Sequence, residues 1–157
     1  MGNNNFEDIN LIIADPDSTV RNAFKAAFYD HGFSNSRDTS RMSAVVEAVD
    51  KDAVDLIIAE NMLPDGKISD LARRIRHHEA GGNPFLVVIL MMQGSTKEEI
   101  HEVIDSGTDD LLIKPISSAR LIERVKILTR ERKRFVVTTD YVGPTRRATP
   151  MWASPAY

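Results

Sequence analysis

Several short apolar runs in this chain end on a residue that could carry charge chemistry. Asn10-Leu11-Ile12-Ile13-Ala14 leads into Asp15-Pro16-Asp17, and Asp55-Leu56-Ile57-Ile58-Ala59 leads into Glu60. Phe85 to Met91 leads into Met92, and Leu111-Leu112-Ile113 leads into Lys114-Pro115. If these runs are strands of one sheet, Asp15, Asp17, Glu60, Met92 and Lys114 share one edge of the molecule although the sequence scatters them widely. The carboxylates then form a shared acidic pocket, and Lys114 is the ammonium that can pair with Glu60 across it. The sequence offers no nucleophile–base pair and no phosphate-cradling glycine loop, so turnover of a small substrate is not expected and the chain reads as a non-enzyme.

The elements that must position these residues are legible from pattern and punctuation. The run ending at Ala14 is a strand stopped by the breaker cluster Asp15-Pro16-Asp17-Ser18. Val20, Ala23, Phe24, Ala27 and Phe28 recur at helical spacing, and Gly32 sits where a helix cap belongs. Phe33 to Thr39 gives a weak strand signal, and Met42, Val45, Val46 and Val49 mark a second helix. After the strand Val54 to Ala59 comes a proline-glycine loop, then a helix containing Leu71 to Arg76 that ends before Gly81-Gly82. Phe85 to Met91 is apolar throughout, as expected where both sheet faces are covered. A helix over Thr96 to Asp105 closed by Gly107, a short strand at Leu111 to Ile113 and a helix from Ser118 to Arg132 complete the series. Strand and helix alternate, which predicts a parallel sheet joined by right-handed crossovers, its functional crevice outside the carboxyl ends of the strands.

Bulk composition narrows the function classes. The 157 residues are 42% hydrophobic and 27% charged, ordinary for a globular domain with a short extension. With no cysteine there is no disulfide framework or thiolate metal site. The longest apolar run is far shorter than the ~20 residues a membrane span needs, and the N-terminus lacks signal-peptide and myristoylation patterns, so a cytoplasmic protein is expected. The net charge of −3 conceals an asymmetry: residues 1–119 carry 11 Lys/Arg against 20 Asp/Glu, and residues 120–157 carry 9 against 3. A basic tail on an acidic body can fold back or bind polyanions, but its scattered basic residues show no recognition motif, which ranks nucleic acid behind protein as a partner.

Taken in order, Leu-Ile-Ile-Ala-Asp-Pro-Asp, Asp-Leu-Ile-Ile-Ala-Glu-Asn-Met-Leu-Pro, Gly-Thr-Asp-Asp-Leu-Leu and the following Lys-Pro resemble the response-regulator receiver domain of two-component signalling, over roughly residues 8–130. The spacing agrees: Met92 lies 22 residues before Lys114, the separation receivers place between a hydroxyl residue and their lysine. The resemblance implies a flavodoxin-like, doubly wound α/β fold, a five-stranded parallel sheet in the order 2-1-3-4-5 with five helices, followed by a C-terminal tail. In such domains an aspartate takes a phosphoryl group from a phosphohistidine donor, Mg²⁺ held by carboxylates and a lysine balance the charge, and a Thr or Ser responds to the new group.

Several of these parts differ here. Glu60 stands at the phosphoacceptor position, Met92 at the switch hydroxyl and Leu111 at the rotating aromatic. Asp15 matches the first acid of the metal cluster, whereas Pro16 falls on the second, and Asp17 lies one residue beyond. Lys114 and Pro115 are intact, and the resemblance implies a cis peptide between them. This is an atypical, degenerate receiver lacking the phosphoacceptor aspartate, with no cofactor expected because Pro16 removes a ligand of Mg²⁺. The expected function is a stand-alone signalling module of a two-component or phosphorelay system, acting through phosphorylation-independent protein–protein interaction. Glu60 then either pairs with Lys114 or imitates a phosphorylated aspartate. The alternatives are an unusual phosphoacceptor using Glu60 or Asp17, and a nucleic-acid-binding regulator working through the basic tail.

The domain is placed at residues 1–133 and the extension at 134–157. Within the latter, Phe135 to Val142 alternates towards β-structure and Gly143-Pro144 breaks it, and the Phe, Val, Tyr and Trp content exceeds that of a disordered tail. Part of it is expected to bind its own body, a second copy or a partner. Expected partners are signalling proteins such as a histidine kinase, and a homodimer through the fourth and fifth helices or the tail.

Overall fold

The computed structural model describes residues 6–130 and 135–145, and of Arg130 the backbone alone. Five parallel strands form the central sheet in the order β2-β1-β3-β6-β7: β1 is Leu11–Ala14, β2 Ser36–Thr39, β3 Leu56–Glu60, β6 Val87–Met92 and β7 Asp110–Ile113. This is the 2-1-3-4-5 arrangement expected from the resemblance. Between β3 and the next helix lies an antiparallel pair of two-residue strands, β4 (Met62–Leu63) and β5 (Gly66–Lys67), where the sequence promised only a loop. Five helices complete the unit: α1 Ser18–Asp30, α2 Met42–Asp50, α3 Ile68–Arg76, α4 Lys97–Asp105 and α5 Ser118–Arg130.

Alternation along the strands divides the core. Ile12, Ala14, Ile57, Ala59, Val88 and Leu90 point to one face, where α2, α3 and α4 pack with Val45, Val49, Leu71, Ile75 and Val103. Leu11, Ile13, Leu56, Ile58, Ile89 and Met91 point to the other, against Phe24 and Phe28 of α1 and Leu121, Ile122, Val125 and Leu128 of α5. Because both faces are covered, the central strands need no polar alternation. The edge strand β2, Ser-Arg-Asp-Thr, is only partly buried, which is why its signal is weak.

Several boundaries differ from the sequence reading, and two of the differences matter here. Strand β6 begins at Val87, and Phe85, expected inside it, is 55% exposed with its ring against Phe135. Beyond α5, Phe135–Val137 (β8) and Val142–Pro144 (β9) form an antiparallel hairpin. Its break falls at Thr138–Asp140, where the Thr138 amide donates to Tyr141 O at 2.8 Å, and Gly143-Pro144 lies inside a strand. The basic residues Arg132, Arg134, Arg146 and Arg147, and the only Trp, lie outside the described residues. Among the described residues no helix is long and apolar enough to cross a membrane.

Candidate functional site

The parallel register brings the ends of β1, β3, β6 and β7 to one edge. Asp15 follows β1 directly, its amide donating to Thr39 O at 3.0 Å, so it is held like a further sheet residue. Its side chain is 2% exposed. One carboxylate oxygen accepts from the Asp17 amide at 2.9 Å and the other from Lys114 Nζ at 2.6 Å. Lys114 is itself placed by its amide, which donates to Met92 O at 2.8 Å, and the Lys114-Pro115 peptide is cis.

Glu60 ends β3 and lies second in line for the same ammonium, with Oε1 3.6 Å from Lys114 Nζ. Lys114 is thus shared, but its short contact is with Asp15. The other Glu60 oxygen, Oε2, is buried with no hydrogen-bond partner among the described residues. Burial pushes the Glu60 carboxyl above its usual range; Lys114 works against that shift and the neighbouring Asp15 charge adds to it.

The remaining predicted site residues divide. Met92 ends β6, 7% exposed, and with Glu60, Asn61, Lys67, Ser95 and Glu99 lines a small cavity of about 110 Å³. Leu111 is part-buried, opposite Leu90 and packed against the core on the face that α2, α3 and α4 cover. Asp17 is not brought to the ammonium: its carboxylate accepts from the Thr19 amide at 2.9 Å and caps α1. Among the described residues, no three His, Asp or Glu side chains gather closely enough to hold a metal ion.

Residues that the sequence reading passed over do much of the positioning. Asn61, 5% exposed, donates its amide to Met91 O, accepts from the Ile68 amide through its carbonyl and accepts from the Ser69 amide through Oδ1, each at 2.9 Å. It thereby caps α3, whose own N-cap residue Lys67 makes no side-chain cap. Asp65 does the same for α2, accepting from the Met42 and Ser43 amides at 2.6 and 3.0 Å, and these bonds hold its carboxyl below the ordinary range. The loop after Glu60 therefore fixes the start of two helices. Neither residue carries a local capping signature, since donor and acceptor come from different elements. Ser95 also went unremarked: it places a hydroxyl on the cavity that Met92 lines, at present donating to Gln93 O at 3.1 Å.

The chemotaxis protein CheY-3 of Vibrio cholerae is 26% identical over 119 residues, 76% of this chain and 90% of that protein. The transcriptional regulatory protein GltR of Pseudomonas aeruginosa is 30% identical over 121 residues, 76% of this chain and 48% of GltR, so this chain matches about half of that relative. Among solved structures, the receiver domain of the Francisella response regulator 1452 superposes with a TM-score of 0.67 at 25% identity, covering 77% of this chain and 96% of that one. The family model of the response regulator receiver domain matches residues 11–126, and the chain belongs to that family.

Proposed function

We propose that this receiver domain signals through protein–protein contacts that do not depend on phosphorylation. The observation that carries the reading is the state of Lys114: its ammonium lies 2.6 Å from Asp15 and 3.6 Å from Glu60, already engaged by the two carboxylates at this edge. Phosphoryl transfer needs that positive charge, and a second from a metal, on the transferred oxygens. The divalent cation that the family implies does not fit this donor set. Pro16 offers no carboxylate, Asp17 is turned to the start of α1, and both oxygens of Asp15 accept hydrogen bonds. Met92, buried where a hydroxyl would respond, has no donor to offer a phosphoryl oxygen.

Glu60 serves in this reading as a fixed acid beside Lys114, its carboxyl pushed upward by burial. Partners are signalling proteins of the same pathway, or a second copy, that recognise the surface as it stands. The test is to incubate the purified chain with acetyl phosphate and Mg²⁺ and read its intact mass, then to add Mg²⁺ and beryllofluoride and follow the amide NMR spectrum. The expected result is an unchanged mass, with amides near Asp15, Glu60 and Lys114 unmoved at millimolar ligand. A phosphoryl adduct on Glu60, or saturable shifts at those amides, would overturn the proposal in favour of an unusual phosphoacceptor.

A further inference from the structure

The end of the sheet remote from Lys114 holds another cation, and this one is fully buried. Arg76, the last residue of α3, has a side chain with no solvent exposure and pairs with Asp109 Oδ2 at 2.9 Å. Its guanidinium also donates to the carbonyls of Gly107, Pro84 and Leu86 at 2.8, 2.8 and 2.6 Å. Asp109 Oδ2 accepts from the Val88 amide as well, at 2.8 Å. One side chain thus ties together the end of α3, the segment entering β6 and the segment entering β7.

The β8–β9 hairpin closes over this knot. The Phe135 ring lies 4.9 Å from the Arg76 guanidinium carbon and meets the Phe85 ring edge-on at 5.0 Å. Tyr141 is 3% exposed and donates its hydroxyl to Pro144 O at 2.6 Å. Two glycines meet where the hairpin touches the sheet. A Cβ on Gly143 would lie 2.7 Å from Gly107 Cα, and a Cβ on Gly107 would lie 2.6 Å from Val142 O. Gly107, at φ +94°, also makes the bend between α4 and β7. A hairpin with three residues in each strand is marginal by itself, so its order depends on this docking.

What the hairpin grips leads into a lightly held part of the sheet. Helix α4 contributes Val103 as its buried residue, and of β7 only Leu112 is buried. Elements with so little buried apolar surface open locally at low free energy. We propose that the hairpin is a strap: docked on Arg76 and Gly107, it fixes the junctions before β6 and β7, and its release sets α4 and β7 free to move. It is a control point at the base of the sheet, independent of what Glu60 does.

Hydrogen–deuterium exchange on the full chain tests this with Gly143→Ala, Phe135→Ala and, as a control on an exposed position of the same hairpin, Val137→Ser. Wild type should protect the hairpin amides. Gly143→Ala and Phe135→Ala should speed exchange about tenfold or more in the hairpin and also across Leu86–Val88, α4 and β7, with Val137→Ser leaving both unchanged. A hairpin that exchanges freely in wild type, variants that leave it protected, or a released hairpin with α4 and β7 unaltered would each overturn the proposal. Should Gly143→Ala fail to fold, Phe135→Ala, which adds no clash, gives the same reading.

Discussion

Replacing Lys114 with Met would leave the buried Asp15 and the part-buried Glu60 carboxylates without the ammonium they share. At an effective dielectric of about 20, the separations of 2.6 and 3.6 Å correspond to attractions of about 6 and about 5 kcal/mol. Most of that is offset by the water given up, since Asp15, Lys114 and Glu60 side chains are 2%, 11% and 14% exposed. Deleting one partner removes the attraction but not the burial, and the expected net loss is about 3–5 kcal/mol. For a chain of this length that lowers Tm by about 10 °C. Urea denaturation followed by circular dichroism measures it, at neutral pH and again in mild acid. In acid the deficit should shrink, because Glu60, whose carboxyl burial already pushes upward, can take up a proton instead of repelling Asp15. A loss below about 1 kcal/mol at neutral pH, where such a buried group should cost several, would show that Lys114 is not the charge that holds this edge together.

Asn61→Ala should cost about 1–2 kcal/mol, since it leaves the Ser69 amide without its 2.9 Å acceptor in a buried place, and exchange should quicken at the first turn of α3. Arg76→Met strips four acceptors at once and should cost about 3–5 kcal/mol in chemical denaturation. Asp38→Asn addresses pH. Burial alone would raise the Asp38 carboxyl, but hydrogen bonds and charges from Arg21 and Lys25 bring it below its usual 3.8. The resulting stability is present above 3.8 and lost as pH falls through the lowered value. The variant should therefore trail wild type by about 1 kcal/mol at neutral pH and converge with it in strong acid. A gap that persisted there would place the effect elsewhere.

The strands that position the site were legible because both faces are covered, so β1, β3 and β6 announce themselves as unbroken apolar runs. The edge position of Asp15, Glu60, Met92 and Lys114 then followed from topology alone. Side-chain direction did not: Asp17 sits two residues from Asp15, yet a free amide at the start of α1 claims it. Asn61 and Asp65 were invisible as helix caps because the helices they serve begin elsewhere in the chain. Arg76 carried no signal beyond its place in the third helix. It is buried because Asp109 and the hairpin, remote in sequence, close over it. Phe85 failed for the same reason, its partner being Phe135. Gly143 resembled a turn signal, whereas its lack of a side chain is what lets β9 touch Gly107.

The two cations, Arg76 buried and Lys114 part-buried, show what kind of place the Glu60 edge is. Arg76 meets three carbonyls and a carboxylate, a matched set of the sort stability alone would favour. Lys114 meets two carboxylates, one of them with an oxygen that has no hydrogen-bond partner among the described residues. That surplus costs free energy, and folds retain such conflicts chiefly where a site needs them. Because the Glu60 carboxyl titrates above its usual 4.5 in the folded chain, folding is favoured by its proton: the contribution is complete below 4.5 and is lost as pH rises through the shifted value. Glu60→Gln removes the charge while keeping the shape, so it should stabilise the chain or leave it unchanged at neutral pH, and should abolish this part of the pH dependence. Its neighbour Asn61 holds the start of α3, so the substitution should shift the Ile68 and Ser69 amides in NMR spectra more than those of α4. If Glu60→Gln instead destabilised the domain as much as Lys114→Met, the glutamate would be the partner that Lys114 needs, and the primacy assigned to Asp15 would be wrong.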